Sequence, residues 1–175
     1  MFFRSTNRIS PKVDLKEALL KGQAPDKGLY MPDLLPTISA AEIDSFKEKP
    51  YWEVAASILG KFTEGSLPSV KLSSICKEVY DFDVPLEHID GKRYVMRLDR
   101  GPTASFKDFA ARVMGKLIGH FVQESGKKLT ILTATSGDTG SAIAHAFYKV
   151  PGIEVIVLFP IKEVSDRQRK QMTTL

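Results

Sequence analysis

A lysine stands where it could form a covalent bond with an aldehyde. Lys107 belongs to the segment Gly101–Asp108, which leads from a predicted strand through a Gly-Pro turn into a long amphipathic helix. The positive end of the helix dipole disfavours an ammonium in the first turn, and the neighbouring Phe106 and Phe109 would disfavour it further by desolvation. A neutral amine is what Schiff-base formation requires. Spacing alone does not decide this, because most lysines are simply exposed.

A second segment, Thr135–Ser141, has the composition of an anion-binding turn. It lies between an apolar strand and a predicted helix, and in open α/β sheets ligands bind beyond the carboxyl ends of the strands, at helix N-termini. Gly137 and Gly140 allow the backbone to approach a ligand, and the hydroxyl side chains add hydrogen-bond donors. The alternative is that Asp138 or Thr139 only caps the helix. Capping and binding are compatible.

Other chemistries find little support in the sequence. It contains neither a Gly-x-x-x-x-Gly-Lys-Ser/Thr phosphate loop nor a Gly-x-Gly-x-x-Gly dinucleotide fingerprint. The Asp-Thr-Gly of residues 138–140 resembles the nucleophilic turn of aspartic proteases, but those enzymes pair two carboxylates, and a strand-to-helix setting argues against them. His88, His120 and His145 lack metal-ligand spacing, so we predict no metal site, with His88 in a strand and the other two on helix surfaces.

Bulk composition indicates a globular protein. The chain has 175 residues, of which 43% are hydrophobic, and its 25 basic and 21 acidic residues are scattered along the sequence. This pattern does not support nucleic-acid binding. The single cysteine, Cys76, excludes an internal disulfide. Because no secretory signal and no apolar run of about 20 residues is present, we expect a soluble, cytoplasmic protein without membrane contact.

The elements that must position these segments change character along the chain. Capping signals and apolar periodicity predict helices in the first third, interrupted by an irregular stretch over 23–36 in which Leu29, Tyr30 and Met31 anchor on a neighbouring surface. Asp90-Gly91 predicts the turn of a β-hairpin. After it come helix 105–125, strand 129–135, helix 140–149, strand 153–159 and a helix that the capping box of Ser165 and Gln168 begins. This alternating pattern, with continuously apolar strands, predicts a parallel sheet covered on both faces.

These patterns predict an α/β protein in two parts. Residues 1–83 form a mostly helical N-terminal domain, and residues 84–175 comprise the hairpin and the beginning of a parallel-sheet domain. Since parallel sheets need more strands than this, and the last helix has no C-cap signal, we expect the chain to be a fragment of a longer enzyme.

Four segments in this order resemble the threonine synthase family, whose members are fold-type II pyridoxal-phosphate enzymes. The first runs from Leu15 through the Gly-Leu-Tyr-Met-Pro ending at Pro32, the second is Gly101–Asp108, the third is Ser136–Ala142, and the fourth is the tail from Val164 to Thr174. The resemblance covers nearly the whole chain.

The resemblance implies a lyase of threonine biosynthesis that converts O-phosphohomoserine and water to threonine and phosphate. Lys107 would carry pyridoxal phosphate and act as the catalytic residue, with Ser105, Asp108 and Asp138 as further cofactor-binding residues. The substrate-binding residues would be Ser136, Gly137, Asp138, Thr139 and Gly140. No metal is implied, and the oligomeric state is not predicted.

The chain also departs from the family. The glycine-rich loop for the cofactor phosphate and the group that faces the pyridine nitrogen come later in the family's sequences, and Ala104-Ser105 replaces a bulkier pair. We therefore expect weak cofactor binding and no turnover by these 175 residues alone. The alternatives are another pyridoxal-phosphate β-replacement or dehydratase enzyme and a non-catalytic fragment in which the helical first third is an interaction module.

Overall fold

The chain forms two compact units, Met1–Tyr80 and Asp81–Leu175, in a computed structural model that describes residues 1–135 and 137–175. The predicted α/β class and the alternation of helices and strands in the second half are confirmed. The domain boundary that we place after residue 83 stays a prediction.

The first unit is mostly helical. Its elements are β1 Phe3–Ser5, α1 Leu15–Lys21, β2 Tyr30–Pro32, α2 Ala40–Ser45, α3 Tyr51–Thr63 and α4 Ser69–Val79. The capping signals act as predicted at both ends of α1, where the Asp14 carboxylate accepts a hydrogen bond from the Glu17 N–H at 2.8 Å and Gly22 ends the helix with φ +68°. Ser39 and Glu42 form the complete capping box of α2. Local side-chain chemistry therefore sets these helix boundaries.

A small antiparallel sheet in this unit escaped the sequence analysis. Strands β1 and β2 pair Phe3 with Pro32 and Ser5 with Tyr30, and β2 lies within the stretch 23–36 that we expected to be irregular. Leu29 and Met31 are 61% and 49% exposed, so the anchoring role predicted for them is wrong. A strand of three residues is too short to show the alternation of apolar and polar residues by which strands are recognised in a sequence.

The core of the first unit lies between α3 and α4. Leu72, Ile75, Cys76 and Val79 are buried on one face of α4, as its apolar periodicity predicts. Burial raises the pKa of the Cys76 thiol to about 11, because the thiolate would be poorly solvated there.

The second unit contains the two predicted segments. Its elements are β3 Leu86–Asp90, β4 Arg93–Met96, α5 Asp108–Ser125, β5 Leu129–Ala134, α6 Asp138–Phe147, β6 Ile153–Leu158 and α7 Asp166–Thr173. Strands β3 and β4 form the predicted hairpin, with Gly91 at φ +50° in its turn. Phe121 of α5 and Phe147 of α6 are each 1% exposed and form the centre of the core.

Strands β5 and β6 are parallel and pair from Leu129 with Ile153 to Ala134 with Leu158. The prediction that both faces of these strands are covered is wrong for this chain. Leu132, Ile156 and Leu158 lie on one face and are 65%, 44% and 52% exposed, whereas α6 packs on the other face. A continuous apolar run indicates that both faces suit a nonpolar environment, but it cannot show which elements cover them.

Across the residues that the structure describes, every helix is too short or too polar to cross a lipid bilayer.

Candidate functional site

The segment around the candidate lysine is a tight, hydrogen-bonded loop, here called the lysine loop (101–107). The Ala104 N–H donates to the Gly101 carbonyl at 3.0 Å, which closes a turn. The carboxylate of Asp108, fully buried, accepts hydrogen bonds from the Thr103 N–H at 2.9 Å and the Thr103 hydroxyl at 2.8 Å. A side chain at Gly101 would collide with this carboxylate, since an added Cβ would lie 2.4 Å from Oδ2. The loop is thus folded around Asp108.

Lys107 follows this fixed arrangement directly. Helix α5 begins at Asp108, so Lys107 occupies the N-cap position and not the first helical turn that we predicted. Its side chain is half-buried, and Nζ lies 4.7 Å from the centroid of the Phe106 ring. Phe109 instead packs edge-on against Phe82, with 5.2 Å between the ring centroids. Phe106 therefore contacts the amine as expected, and the neutral amine stays a prediction.

Ser105 and Asp108 support the lysine from within the loop. Ser105 is buried, and its hydroxyl accepts a hydrogen bond from the Lys107 N–H at 3.3 Å. Both oxygens of Asp108 bond to Thr103. The direct cofactor contacts expected of Ser105 and Asp108 stay predictions, and the geometry favours a positioning role for Asp108.

The second segment, here called the glycine loop (135 and 137–140), is organised by a threonine hydroxyl. The Oγ1 atom of Thr135 accepts hydrogen bonds from the Gly137 N–H at 3.0 Å and the Gly140 N–H at 3.2 Å. Gly137 is the N-cap of α6, with φ +150°, so the expectation that Asp138 or Thr139 caps this helix is wrong. Ser136, which we predict to bind substrate, lies outside the described residues.

Two glycines of this loop allow close approach of the chain to other elements. A Cβ on Gly140 would lie 2.4 Å from Thr135 Cγ2 and 2.8 Å from the sulfur of Met172. One on Gly137 would lie 2.4 Å from the side-chain nitrogen of Gln168. The glycines are therefore required by packing as well as by their suitability for ligand approach.

The packing of α5 on α6 brings the two loops together. A Cβ on Gly115 would lie 2.6 Å from the carbonyl oxygen of Ala146, and one on Gly119 would lie 2.7 Å from Val150. Gly119 comes four residues after Gly115 on α5, and Val150 comes four residues after Ala146, just beyond the end of α6. Since both contacts advance along the chain together, α5 and α6 run in the same direction. Close helices have axes about 8–10 Å apart. The N-termini of α5 and α6, with Lys107 and Asp138 beside them, thus lie at the same end of the unit.

This geometry can bind an anion and present an amine to it. The first N–H groups of a helix have no acceptor within the helix and carry the positive end of its dipole. Residues 137–140 form such an N-terminus, with Asp138 exposed. The N–H groups of Gly137 and Gly140 bond to Thr135, so the N–H groups of Asp138 and Thr139 are the ones that would bind an anion. Lys107 stands at the N-terminus of the neighbouring helix.

Sequence reasoning missed four residues that hold these loops. Thr103 and Thr135 have no distinctive local signal. Gln168 was recognised only as the capping partner of Ser165, and its bond to Asp138 joins residues 30 positions apart. Gln171 donates to the Thr103 carbonyl at 3.3 Å across 68 positions, a contact that no local pattern could predict.

The histidines take no part in this geometry. His88 lies in β3 as predicted, and its ring is 5.0 Å from that of Tyr94. His120 is half-buried on α5, with Nε2 3.3 Å from a carboxylate oxygen of Glu124, and His145 is half-buried on α6. Within residues 1–135 and 137–175, no three side chains of the metal-binding types converge.

Two family models divide the chain between them. Residues 2–80 match "Threonine synthase N terminus" and residues 82–175 match "Pyridoxal-phosphate dependent enzyme". The second match covers more than half of the sequence, and the chain belongs to the pyridoxal-phosphate-dependent enzyme family. The resemblance to threonine synthases noted from its motifs is confirmed at the level of the family models.

Similar proteins point to the same group of enzymes. A threonine synthase of Pseudomonas aeruginosa is 36% identical over all of this chain and 38% of its own length, and one of Haemophilus influenzae is 39% identical over 94% of this chain. The crystal structure of "PLP bound" threonine synthase from Brucella melitensis superposes with a TM-score of 0.93, at 36% identity over 99% of this chain and 38% of its own. Threonine synthase from Escherichia coli gives 0.91 at 34% identity, over 100% and 40%. The chain spans about two fifths of the length of these relatives.

Proposed function

We propose that this chain is the N-terminal part of a threonine synthase, a cytoplasmic enzyme that converts O-phospho-L-homoserine and water to L-threonine and phosphate with pyridoxal phosphate. The observation that carries this proposal is the parallel packing of α5 and α6, which brings Lys107 and the glycine loop to one end of the unit. The match of residues 2–80 to the threonine synthase N terminus favours this reaction over other β-replacement reactions.

The residues present fit the part of the cofactor that binds to a lysine. Pyridoxal phosphate has an aldehyde, and Lys107 has a primary amine on a half-buried side chain at the start of a helix. The buried bonds between Asp108 and Thr103 fix the backbone that carries this amine. We expect the pyridine nitrogen and the phosphate of the cofactor to be bound by residues that come later in the family's sequences and are not in this chain.

Each residue would contribute a distinct task. When bound, the cofactor would supply an electron sink beside the amino group of the substrate. Lys107 would hold it and move a proton to and from the α and β carbons. The helix N-terminus at Gly137–Gly140 would bind an anionic group of the substrate, which has both a carboxylate and a phosphate. Asp138 and Thr139 would add polar contacts on the same side, and Ser136 stays a predicted substrate-binding residue.

Covalent labelling tests the central assignment. A full-length protein that carries this sequence is titrated with pyridoxal phosphate, reduced with borohydride and digested for peptide mapping. We expect the reduced label on Lys107, and we expect Lys107→Arg, which keeps the positive charge, to abolish it. The matched control is Lys92→Arg, because Lys92 lies exposed in the turn of the β3–β4 hairpin.

Activity then tests the substrate. We expect phosphate release from O-phosphohomoserine by the full-length protein and none by the 175-residue chain alone. A label on another lysine would overturn the assignment of Lys107, and threonine formation by the chain alone would overturn the expectation that further residues complete the site.

A further inference from the structure

Helix α7 contacts both loops of the candidate site through two glutamines. Gln168 donates a hydrogen bond from Nε2 to the Asp138 carboxylate at 2.8 Å, and Gln171 donates from Nε2 to the Thr103 carbonyl at 3.3 Å. Residues three apart on a helix share one face and are separated by about 4.5 Å along its axis. A single short helix thus contacts both the glycine loop and the lysine loop.

The contact of Gln168 with the glycine loop combines a hydrogen bond with close packing. Gln168 uses its oxygen to accept from the Ser165 N–H at 3.0 Å, which completes the capping box, and uses its nitrogen for Asp138. Its amide also packs directly on the backbone of Gly137, where an added Cβ would lie 2.4 Å from the amide nitrogen. The same side chain therefore begins α7 and holds the N-terminus of α6.

The second contact leads to the candidate lysine. Gln171 binds the carbonyl of Thr103, whose N–H and hydroxyl both bind the buried carboxylate of Asp108. Lys107 is the residue before Asp108. A movement of α7 would therefore be transmitted through Thr103 to the backbone that carries the amine.

The character of α7 makes these bonds important for its position. Its eight residues include none that is buried, and six of them are charged or amide side chains. So short a helix is marginal in water by itself, and it lacks the apolar face that usually docks a helix. The side-chain hydrogen bonds of Gln168 and Gln171, together with the contact of Met172 on Gly140, hold α7 against the unit.

We propose that Gln168 and Gln171 are positioning residues, which together hold the lysine loop and the glycine loop at a fixed distance from each other. This interpretation as positioning residues rests on the proposed function, whereas the mechanical coupling of the two loops does not. The coupling predicts that a change at one glutamine loosens the loop that the other glutamine contacts.

Hydrogen exchange in this chain tests the coupling. The reporter amides, followed by NMR, are those of Thr103 in the lysine loop and Gly140 in the glycine loop, because both donate hydrogen bonds in the structure. Gln168→Glu keeps the capping acceptor but replaces the donor with a carboxylate that faces Asp138. We expect roughly tenfold faster exchange at both amides, since a hydrogen bond to a charged group is lost and a repulsion is added. Gln171→Met, of similar length and without a donor, should act in the same direction.

A swapped pair and a control separate positioning from general destabilisation. In Gln168→Glu with Asp138→Asn the donor and the acceptor exchange places, and we expect exchange at both amides to return to within about twofold of the original rates. Arg167→Gln, on the exposed side of α7, should change neither. If Gln168→Glu accelerates only Gly140, or if the swapped pair does not recover, the proposal is wrong.

Lysine labelling distinguishes this proposal from the proposed function. With coupled loops, Gln171→Met should change the rate at which acetic anhydride modifies Lys107 relative to Lys92, and Arg167→Gln should not. An unchanged ratio would overturn the positioning role even if pyridoxal phosphate labels Lys107. Coupled exchange together with a cofactor label on another lysine would support the coupling of the two loops through α7 and overturn the assignment of the site.

Discussion

Removing the buried carboxylate of Asp108 should destabilise the second unit strongly. Asp108 is fully buried and accepts two hydrogen bonds, from the N–H and the hydroxyl of Thr103. In Asp108→Ala both donors lose their acceptor in a place that water does not reach. The perturbation is therefore larger than the removal of an exposed acid.

The size of the effect follows from the two bonds. A hydrogen bond to a charged group contributes about 1.5–3 kcal/mol, so the loss of two predicts a decrease of about 3–6 kcal/mol in the free energy of unfolding. Thr103→Val keeps the shape of the side chain and removes one bond, which predicts a loss of about 1.5–3 kcal/mol. The double variant should lose less than the sum of the two single losses, because the second change removes a donor that the first left unpaired.

The assay must report on the second unit by itself. The only tryptophan, Trp52, lies in the first unit, so its fluorescence cannot serve. Hydrogen exchange of the core amides of α5 in increasing urea measures the free energy of opening of the second unit. Thr130→Val is the matched control, because Thr130 is exposed on β5 and the same atoms change there.

Two results would contradict the stabilising role of the Asp108 carboxylate. A loss below about 1 kcal/mol for Asp108→Ala would show that the carboxylate contributes no more than an ordinary single hydrogen bond. Strict additivity of Asp108→Ala and Thr103→Val would show that the two side chains do not stabilise each other, and that other interactions hold the lysine loop.

Further predictions concern packing, pH and thiol reactivity. Gly115→Ala should lower the stability of the second unit by about 1–3 kcal/mol, because the added methyl group would push α5 away from α6. Gly60→Ala, with its nearest contact at 3.8 Å, should be neutral or stabilise by up to about 1 kcal/mol. Thermal unfolding measures both effects, and equal effects would contradict the close approach of α5 to Ala146. The hydrogen bond from Lys61, followed by that of the N-cap amide, lowers the pKa of Glu42 to about 2 from an ordinary 4.5. The folded state thus favours the ionised form of Glu42, so its contribution to the stability of the first unit should be full above about pH 4.5 and be lost toward pH 2. The free energy of unfolding should fall less steeply with pH in Glu42→Gln. Urea titrations followed by tryptophan fluorescence test this, and the same pH dependence in both proteins would contradict it. Cys76, fully buried and with a pKa raised to about 11, should react with a thiol reagent only after unfolding, and rapid reaction in the native protein would show that α4 does not pack as described.

The helix caps and tight turns could be predicted from the sequence. The capping box of Ser165 and Gln168, the Gly22 helix end and the turn at Gly91 all appear where their residue types require them. The alternation of apolar strands with amphipathic helices predicted the parallel pairing of β5 and β6. These features depend on residues within about one helical turn or on a repeating pattern, and both are present in the order of the amino acids.

The candidate site could be predicted only in part from the sequence. The identities of Lys107 and of the glycine loop follow from local motifs and their resemblance to a family. The sequence could not show that Asp108 faces inward to Thr103, or that Gly137 and not Asp138 occupies the N-cap of α6. Those outcomes depend on which of several compatible hydrogen bonds the packed structure selects.

Tertiary structure alone decided how the two loops are held together. The parallel run of α5 and α6 rests on the close approach of Gly115 to Ala146 and of Gly119 to Val150. The proposed coupling through α7 rests on a hydrogen bond from Gln171 to a carbonyl 68 positions away. Contacts across such separations are fixed by the way helices pack and not by any local preference of the chain. The sequence therefore determined which residues could do chemistry, and the packing of the second unit determined which of them meet.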